Sequence, residues 1–488
     1  MKTAIAVLDK NGKDLRREVA AALDAFGLKQ GKLVVAIPSA IAEIESTHEL
    51  LHERFTSPVM IAVIYSETQT KPQITRIRKG AALFEGRLYS PPNNPSLATI
   101  LESKPSKLIE NELENLVRKT EGDFALVIAE SNRILAVRDP VGVQPLYYGE
   151  NNDFVAFASS KTALWKLGIC KAFSFPPGNV GCANLEGLHF KPVRTLFYSE
   201  PDSTTINTAA RMLQKFLEHS IRVRVSGLKD IAVAFSGGLD SSVVAFLAKK
   251  CGVNVHLVHV SLAGQSETED AKRTADELDL PLEVNMFDAK NVEETVPLVV
   301  QLIEDPDPVK VAIGIPFYWI AKKTVDAGFS VLFAGQGADE LFGGYYRYVN
   351  EYIFLGEKKL RETMYTDVVK LHETNIERDV KICAFHDLEL RLPFASYDLA
   401  QFALRLPLNM KIEKRADGLR KLLLRRLASN IGLPEAVVNR PKKAVQYATG
   451  VNAVLARISK KRGLTIREYV ESFFEGPDES CRQRKRGF

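Results

Sequence analysis

The sequence predicts an α/β protein of two domains, a strand-rich layered domain followed by a doubly wound parallel sheet with a helical C-terminal part. Three observations predict this. Up to about Phe190 the chain is a series of short alternating apolar runs. From Lys229 such runs alternate with helical patterns, the signature of a parallel sheet covered by helices. At 488 residues the chain is also too long for one ordinary core.

In the first part, strands are expected at Thr3–Asp9, Lys32–Pro38, Val59–Tyr65, Phe124–Glu130, Arg133–Asp139 and Phe154–Ser160. Helical patterns fall near Leu15–Phe26 and Ser106–Arg118. The proline-bearing SFPPGNV (Ser174–Val180) and the polar EPDSTTIN (Glu200–Asn207) read as a linker, and Thr208–Val223 as a helix leading onward. Strands then follow at Ile231–Phe235, Val253–Val260, Leu282–Phe287 and Ser330–Phe333. Helices lie between them at Asp240–Lys250, Glu267–Leu278, Val292–Ile303 and Pro316–Ala327. Further helices are expected at Glu351–Thr363, Tyr397–Arg405 and Arg420–Ala428. The expected domains are 1–195 and 205–465, with a basic tail at 466–488.

Composition excludes several classes. Hydrophobic residues make up 45% and charged residues 26%, as in a soluble globular chain. No run of about eighteen apolar residues is present, so no membrane span is expected. MKTAIAVLDKNGKD turns polar too early for a secretory segment, which makes the cytoplasm the expected compartment. The five cysteines form no CxxC pair, so neither a zinc site nor a disulfide framework is expected. The net charge of +5 is small. The basic CRQRKRGF end reads as a solvated terminus, and nucleic acid is not an expected partner.

The chemistry concentrates in a few strings. In AFSGGLDSS (Ala234–Ser242) a strand gives way to a helix through two glycines, several hydroxyls and one acid. Such a junction lets backbone N–H groups and a helix N-terminus converge on an anion. Ser236, Gly237, Gly238, Ser241 and Ser242 would hold that anion. Asp240 is explained by a cation that travels with it, and magnesium on pyrophosphate is the obvious case. There is no lysine, so this is not a GxxxxGK[ST] loop. A second string, VLFAGQGADELFGGYYRY (Val331–Tyr348), places Gly335, Gln336, Asp339 and Glu340 after another strand. LELRLPF (Leu388–Phe394) sets Glu389 and Arg391 two apart, which also fits an ion pair between the helical part and the sheet. NRPKKAVQYATG (Asn439–Gly450) is a loop whose Lys442 or Lys443 could reach a site. His256 and His259 have no Cys or carboxylate cluster near them and read as ordinary strand residues.

Ser236–Ser242 resembles the PP-loop of the ATP pyrophosphatase superfamily, and nearly the whole chain is similar to asparagine synthetases. The resemblance implies ATP and Mg2+. Asp240 and Asp339 would hold the metal. Phe235, the PP-loop residues, Val260, Gly335 and Gln336 would line the nucleotide site, with Lys442 near the reacting phosphates. Gln336 stands where the family has a glutamate; it can hydrogen-bond but cannot act as a base at neutral pH.

Glu121–Gly149, Phe157–Leu164 and Phe175–Gly178 are similar to the family's glutaminase domain, which implies a four-layered N-terminal-nucleophile-hydrolase fold. That hydrolase needs an N-terminal cysteine, and residue 2 is Lys2. The family's Asn–Gly pair is Glu85–Gly86 here. No glutaminase nucleophile is therefore assigned.

The acceptor segment EDPDPVKVAIGIP (Glu304–Pro316) lacks the hydroxyl and arginine that the family uses for aspartate. Those positions fall near Val309 and Ala312, with Lys310 the nearby cation. Lys310, Glu340, Glu389 and Arg391 are the candidate substrate contacts.

The expected function is ATP-dependent amide formation through an adenylated carboxylate. Aspartate is the leading substrate, and ammonia or another amine is the nitrogen source, supplied free or by a separate partner. A homodimer is compatible with this. A β-lactam-synthetase-like ligase acting on another carboxylate is the second reading, and a nucleotide-binding regulatory protein the third.

Overall fold

The computed structural model describes residues 2–24, 26, 31–67, 69–90, 106–441 and 445–477. The chain divides into two units, one holding Met1–Thr195 and the other Leu196–Phe474.

The first unit contains two antiparallel sheets. One runs Phe173–Ser174, Tyr147–Glu150, Phe154–Ala158, Thr3–Asp9, Val59–Ser66, Gly31–Ile37, Ala40–Ile44. The other runs Gly187–Pro192, Asn179–Asn184, Arg133–Arg138, Glu121–Glu130, Gly80–Ser90, Gln73–Ile77. The central strands are apolar on both faces because both faces are buried. In Thr3–Asp9, Ile5 and Val7 join a core under the helices Arg16–Asp24 and Lys161–Lys166, while Ala4, Ala6 and Leu8 face the second sheet. In Glu121–Glu130, Ala125, Val127 and Ala129 share that inter-sheet core, and Leu126 and Ile128 pack under helix Ser106–Lys119. Three apolar layers thus separate four structural ones, giving the αββα arrangement. The strands Ala40–Ile44 and Gln73–Ile77 carry exposed polar residues at sheet edges and lack the continuous apolar signal.

The second unit is built on a five-stranded parallel sheet in the order Leu282–Phe287, Asn254–Leu262, Asp230–Ala234, Val331–Phe333, Glu389–Arg391. The first three strands in sequence step one way and the last two step the other. The reversal lies between Asp230–Ala234 and Val331–Phe333. In open parallel sheets the crevice at the carboxyl ends of such a strand pair is where ligands bind.

Several boundaries differ from expectation. The helix expected from Pro316 begins at Pro308, and Pro316 lies inside it. Asp307 caps it, accepting from the Val309 and Lys310 amides at 2.9 Å each, and a proline just inside a capped start was the readable signal. The helix expected at Glu351–Thr363 is two, Tyr346–Phe354 and Gly356–Val369, broken where Gly356 takes φ 85°. Helix Ile466–Glu471 carries a Thr465–Glu468 capping box and belongs to the second unit, so any tail begins later than residue 466. Cys170 is disulfide-bonded, a single link where no disulfide framework was expected. Among the described residues no helix is long and apolar enough to cross a membrane.

Candidate active site

The PP-loop string occupies the predicted strand-to-helix junction. Strand Asp230–Ala234 is followed by Phe235, Ser236 and Gly237, and helix Leu239–Lys250 starts after Gly238. Gly237 has φ 66°, and a Cβ there would lie 2.8 Å from Ala271 Cα, so a side chain is excluded twice over. No side chain caps the helix, which leaves its first N–H groups open to a ligand. The loop is held by long internal hydrogen bonds: Gly238 N–H to Ser236 Oγ at 3.3 Å and Ser241 Oγ to the Gly238 carbonyl at 3.2 Å.

The second motif closes on the first. Lys421 Nζ lies 2.7 and 2.5 Å from the Asp240 oxygens and 2.5 Å from Asp339 Oδ1. The lysine side chain is only 2% exposed and its backbone is left-handed, with φ 60°. Gly344 makes room for the cluster, since a Cβ there would meet Asp339 Oδ1 at 1.8 Å. The two predicted metal carboxylates therefore already share one positive charge. They also suit magnesium, which takes one or two carboxylates and fills its remaining positions with phosphate oxygens and water. No group of three or more His, Cys, Asp or Glu residues that could hold a metal by itself is found among the described residues.

A cavity of about 570 Å³ opens at this point. It brings together Phe235, Ser236, Asp240, Ser241, Val260, Gly335, Gln336, Asp339, Glu340 and Lys310, all singled out in the sequence. Gln336 donates to Asp379 Oδ2 at 2.9 Å. Asp379 is fully buried and gripped by Arg378 at 2.7 and 3.0 Å; burial raises its carboxyl, and the guanidinium opposes the rise. Glu340 is pushed up to about 7 by burial and by Asp339 beside it, although Tyr345 bonds its Oε1 and Lys421 lies close. Asn375 also donates to that oxygen, at 2.7 Å. His259 lines the cavity too, with Nδ1 2.9 Å from the Phe235 carbonyl; burial lowers its pKa, which favours the neutral ring.

Other residues singled out in the sequence sit elsewhere. Ser242 is fully buried, with no partner for its Oγ among the described residues, one helical step round from Ser241 and so turned to the core. Glu389 and Arg391 pair at 2.8 Å, and Arg391 also bonds the Arg224 carbonyl, so they brace the fifth strand and do not line the cavity. Ala312 is likewise core, while Val309 lines the cavity, 57% exposed. Lys442 and Lys443 lie outside the described residues.

The sequence reading missed Lys421, Arg425 and Arg440. Arg440 bonds the Gly237 carbonyl and pairs with Asp270 at 3.2 Å. Arg425 donates to the Arg420 carbonyl at 2.7 Å and the Arg440 carbonyl at 2.9 Å. Arg440, at the start of the NRPKKAVQYATG string, thus reaches the phosphate loop, and Arg425 holds its backbone.

Comparison with known proteins agrees with this geometry. The asparagine synthase family matches residues 212–358 and 350–486, and the glutamine amidotransferase domain family matches residues 96–166. A Methanocaldococcus jannaschii protein named "Putative asparagine synthetase [glutamine-hydrolyzing] 1" is 30% identical over 74% of this chain and 75% of its own. The asparagine synthetase [glutamine-hydrolyzing] of Triphysaria versicolor is 26% identical over 82% and 70%. Among solved structures, the Bacillus subtilis glutamine PRPP amidotransferase is 16% identical over 58% of this chain and 65% of that one, with a TM-score of 0.30, too low to bear on the fold. By these matches the chain belongs to the asparagine synthetase family and is a carbon–nitrogen ligase.

Proposed function

We propose that the protein activates a substrate carboxylate with ATP and joins it to ammonia, with aspartate as the carboxylate. One observation carries this reading. Asp240 and Asp339, from separate motifs on neighbouring strands, meet at a single positive charge beside an open helix N-terminus.

In this reading Ser236, Ser241 and the loop amides grip the departing pyrophosphate. Asp240 and Asp339 would hold magnesium, which supplies charge neutralisation at the phosphates. Lys421, freed from the carboxylates, would place its ammonium against phosphate oxygens, and Lys442 would add a second cation. A substrate carboxylate oxygen attacks the α-phosphorus and the bond to pyrophosphate breaks. Ammonia then attacks the acyl carbon, AMP leaves, and the amide nitrogen loses its proton to solvent. Gln336, held by Asp379, offers a fixed dipole at this place and no base.

Glutamine hydrolysis is not part of the proposal. Lys2 pairs with Glu85 at 3.7 Å, each standing where the family has a catalytic group. Thr3 is fully buried as the first residue of a paired strand, so it offers no free N-terminal hydroxyl. Both observations support ammonia as the nitrogen source. The test is pyrophosphate release from ATP with aspartate and either ammonium or glutamine. Release with ammonium and no glutamate production from glutamine is expected, and glutamine-dependent release by the purified chain would refute it.

A further inference from the structure

The cavity poses a problem for an amino-acid substrate. Two of its cations are spent. Lys310 Nζ is 2.7 Å from Asp305 Oδ2 and 3.0 Å from the Glu373 carbonyl, and Arg378 makes two bonds to Asp379. Arg347, which lines the same cavity, is different. Its Nη2 donates to Asp367 Oδ2 at 2.6 Å, while its Nε and Nη1 have no partner among the described residues. Asp367 lines the cavity as well. Its Oδ2 also accepts from Tyr348 OH at 2.6 Å, and its Oδ1 has no partner among the described residues.

The arginine also packs against two rings. The guanidinium lies 5.3 Å from the ring centre of Tyr345 and 5.0 Å from that of Tyr348, and those rings meet edge to face at 5.4 Å. Cation–π packing of this kind fixes an arginine while leaving its edge free to donate. Tyr345 OH in turn bonds Glu340, the neighbour of Asp339. Arg347 therefore stands one aromatic ring away from Glu340, the residue next to Asp339. Its side chain is 54% exposed and that of Asp367 is 21% exposed, so a ligand can reach both.

We propose that Arg347 and Asp367 clamp the zwitterionic head of an α-amino acid, leaving its side-chain carboxylate to be activated. This rests on the adenylating reading above. The unspent guanidinium N–H groups meet the α-carboxylate, and Asp367 Oδ1 meets the α-ammonium. The clamp takes over the role of the carboxylate-binding arginine missing near Val309–Ala312. It lies in GGYYRY, where the first and last tyrosines, Tyr345 and Tyr348, pack against the arginine.

The test uses the full chain loaded with Mg2+ and α,β-methylene-ATP, with binding read by calorimetry. The ligands are L-aspartate, β-alanine (no α-carboxylate) and succinate (no ammonium). The wild type binds aspartate more tightly than either analogue. Arg347→Met weakens aspartate about tenfold or more and leaves β-alanine unchanged, so that discrimination disappears. Arg347→Lys recovers part of the loss. Asp367→Asn removes discrimination against succinate in the same way. Unchanged affinity for the nucleotide analogue shows each variant to be folded. Equal weakening of aspartate and β-alanine by Arg347→Met, or no aspartate binding by the wild type, overturns the clamp. Discriminating binding without pyrophosphate release from ATP supports the clamp and defeats the adenylation reading. Release driven by a carboxylate with no amino-acid head, unaffected by Arg347→Met, does the reverse.

Discussion

Lys421 Nζ bridges both oxygens of Asp240, at 2.7 and 2.5 Å, across a sequence separation of 181 residues. It also meets Asp339, so one buried ammonium offsets two carboxylates. Removing one member of a buried ionic cluster leaves the others uncompensated, at a cost of about 3–5 kcal/mol. Lys421→Met is therefore expected to lower the thermal midpoint of the nucleotide-free protein, and Mg2+ to recover more of it in the variant than in the wild type. Melting curves with and without Mg2+ check this. An equal Mg2+ response in both proteins would contradict a shared cation site.

Asp240→Asn and Asp339→Asn each remove one charge from the proposed metal pair and leave its shape. Both are expected to lower ATP-dependent pyrophosphate release by about 100-fold or more, a loss in line with removing one major electrostatic stabiliser. The rate is measured against Mg2+ concentration. Full activity in either variant would remove that carboxylate from the metal site.

Arg440 holds the carbonyl of Gly237, a residue in a conformation other side chains avoid. Without this bond the phosphate loop loses a brace on its exposed side. Arg440→Ala is expected to raise the KM for ATP about tenfold, as the loss of a charge-assisted hydrogen bond implies, with a smaller effect on the aspartate KM. Nucleotide titration checks the ordering of the two effects.

Glu340 gives a pH signature. Burial raises its carboxyl from an ordinary 4.5 to about 7, so the folded protein holds a proton that the unfolded chain releases between those values. Stability is thus lost as pH rises from 4.5 to about 7, and the penalty is complete above that. Glu340→Gln keeps an oxygen for Tyr345 and Asn375 and cannot ionise. Its stability relative to wild type is expected to climb across this window and level off above pH 7, with a gain of up to about 3 kcal/mol. Denaturant unfolding at pH 5, 6, 7 and 8 measures it, and a flat difference would contradict it.

The parts of the site that were legible share a physical cause. Ser236–Ser242 and Gly335–Glu340 are local strings whose glycines, hydroxyls and acids have no bland role at strand ends. The parallel sheet followed from strand–helix alternation, while the switch point emerged only with the strand order. Lys421 was illegible because GLRKLLLRRL reads as a helix with solvated basic residues. Only the left-handed turn at Lys421 and the tertiary fold carry it to Asp240. Glu389 and Arg391 were legible as a pair, while their distance from the cavity was not, because two-residue spacing does not say which face of the sheet the pair serves. Ser242 shows the same limit in miniature, since one step along a helix turns a hydroxyl from the ligand to the core.

The central claim is that ATP is attacked at its α-phosphorus by a substrate carboxylate. Aspartate carrying 18O in its side-chain carboxylate, incubated with the protein, Mg·ATP and ammonium, tests it most directly. With both carboxylate oxygens labelled, the predicted result is AMP bearing one 18O atom, asparagine keeping the other in its side-chain amide, and unlabelled pyrophosphate. ADP and phosphate as products, or AMP without label, would contradict it.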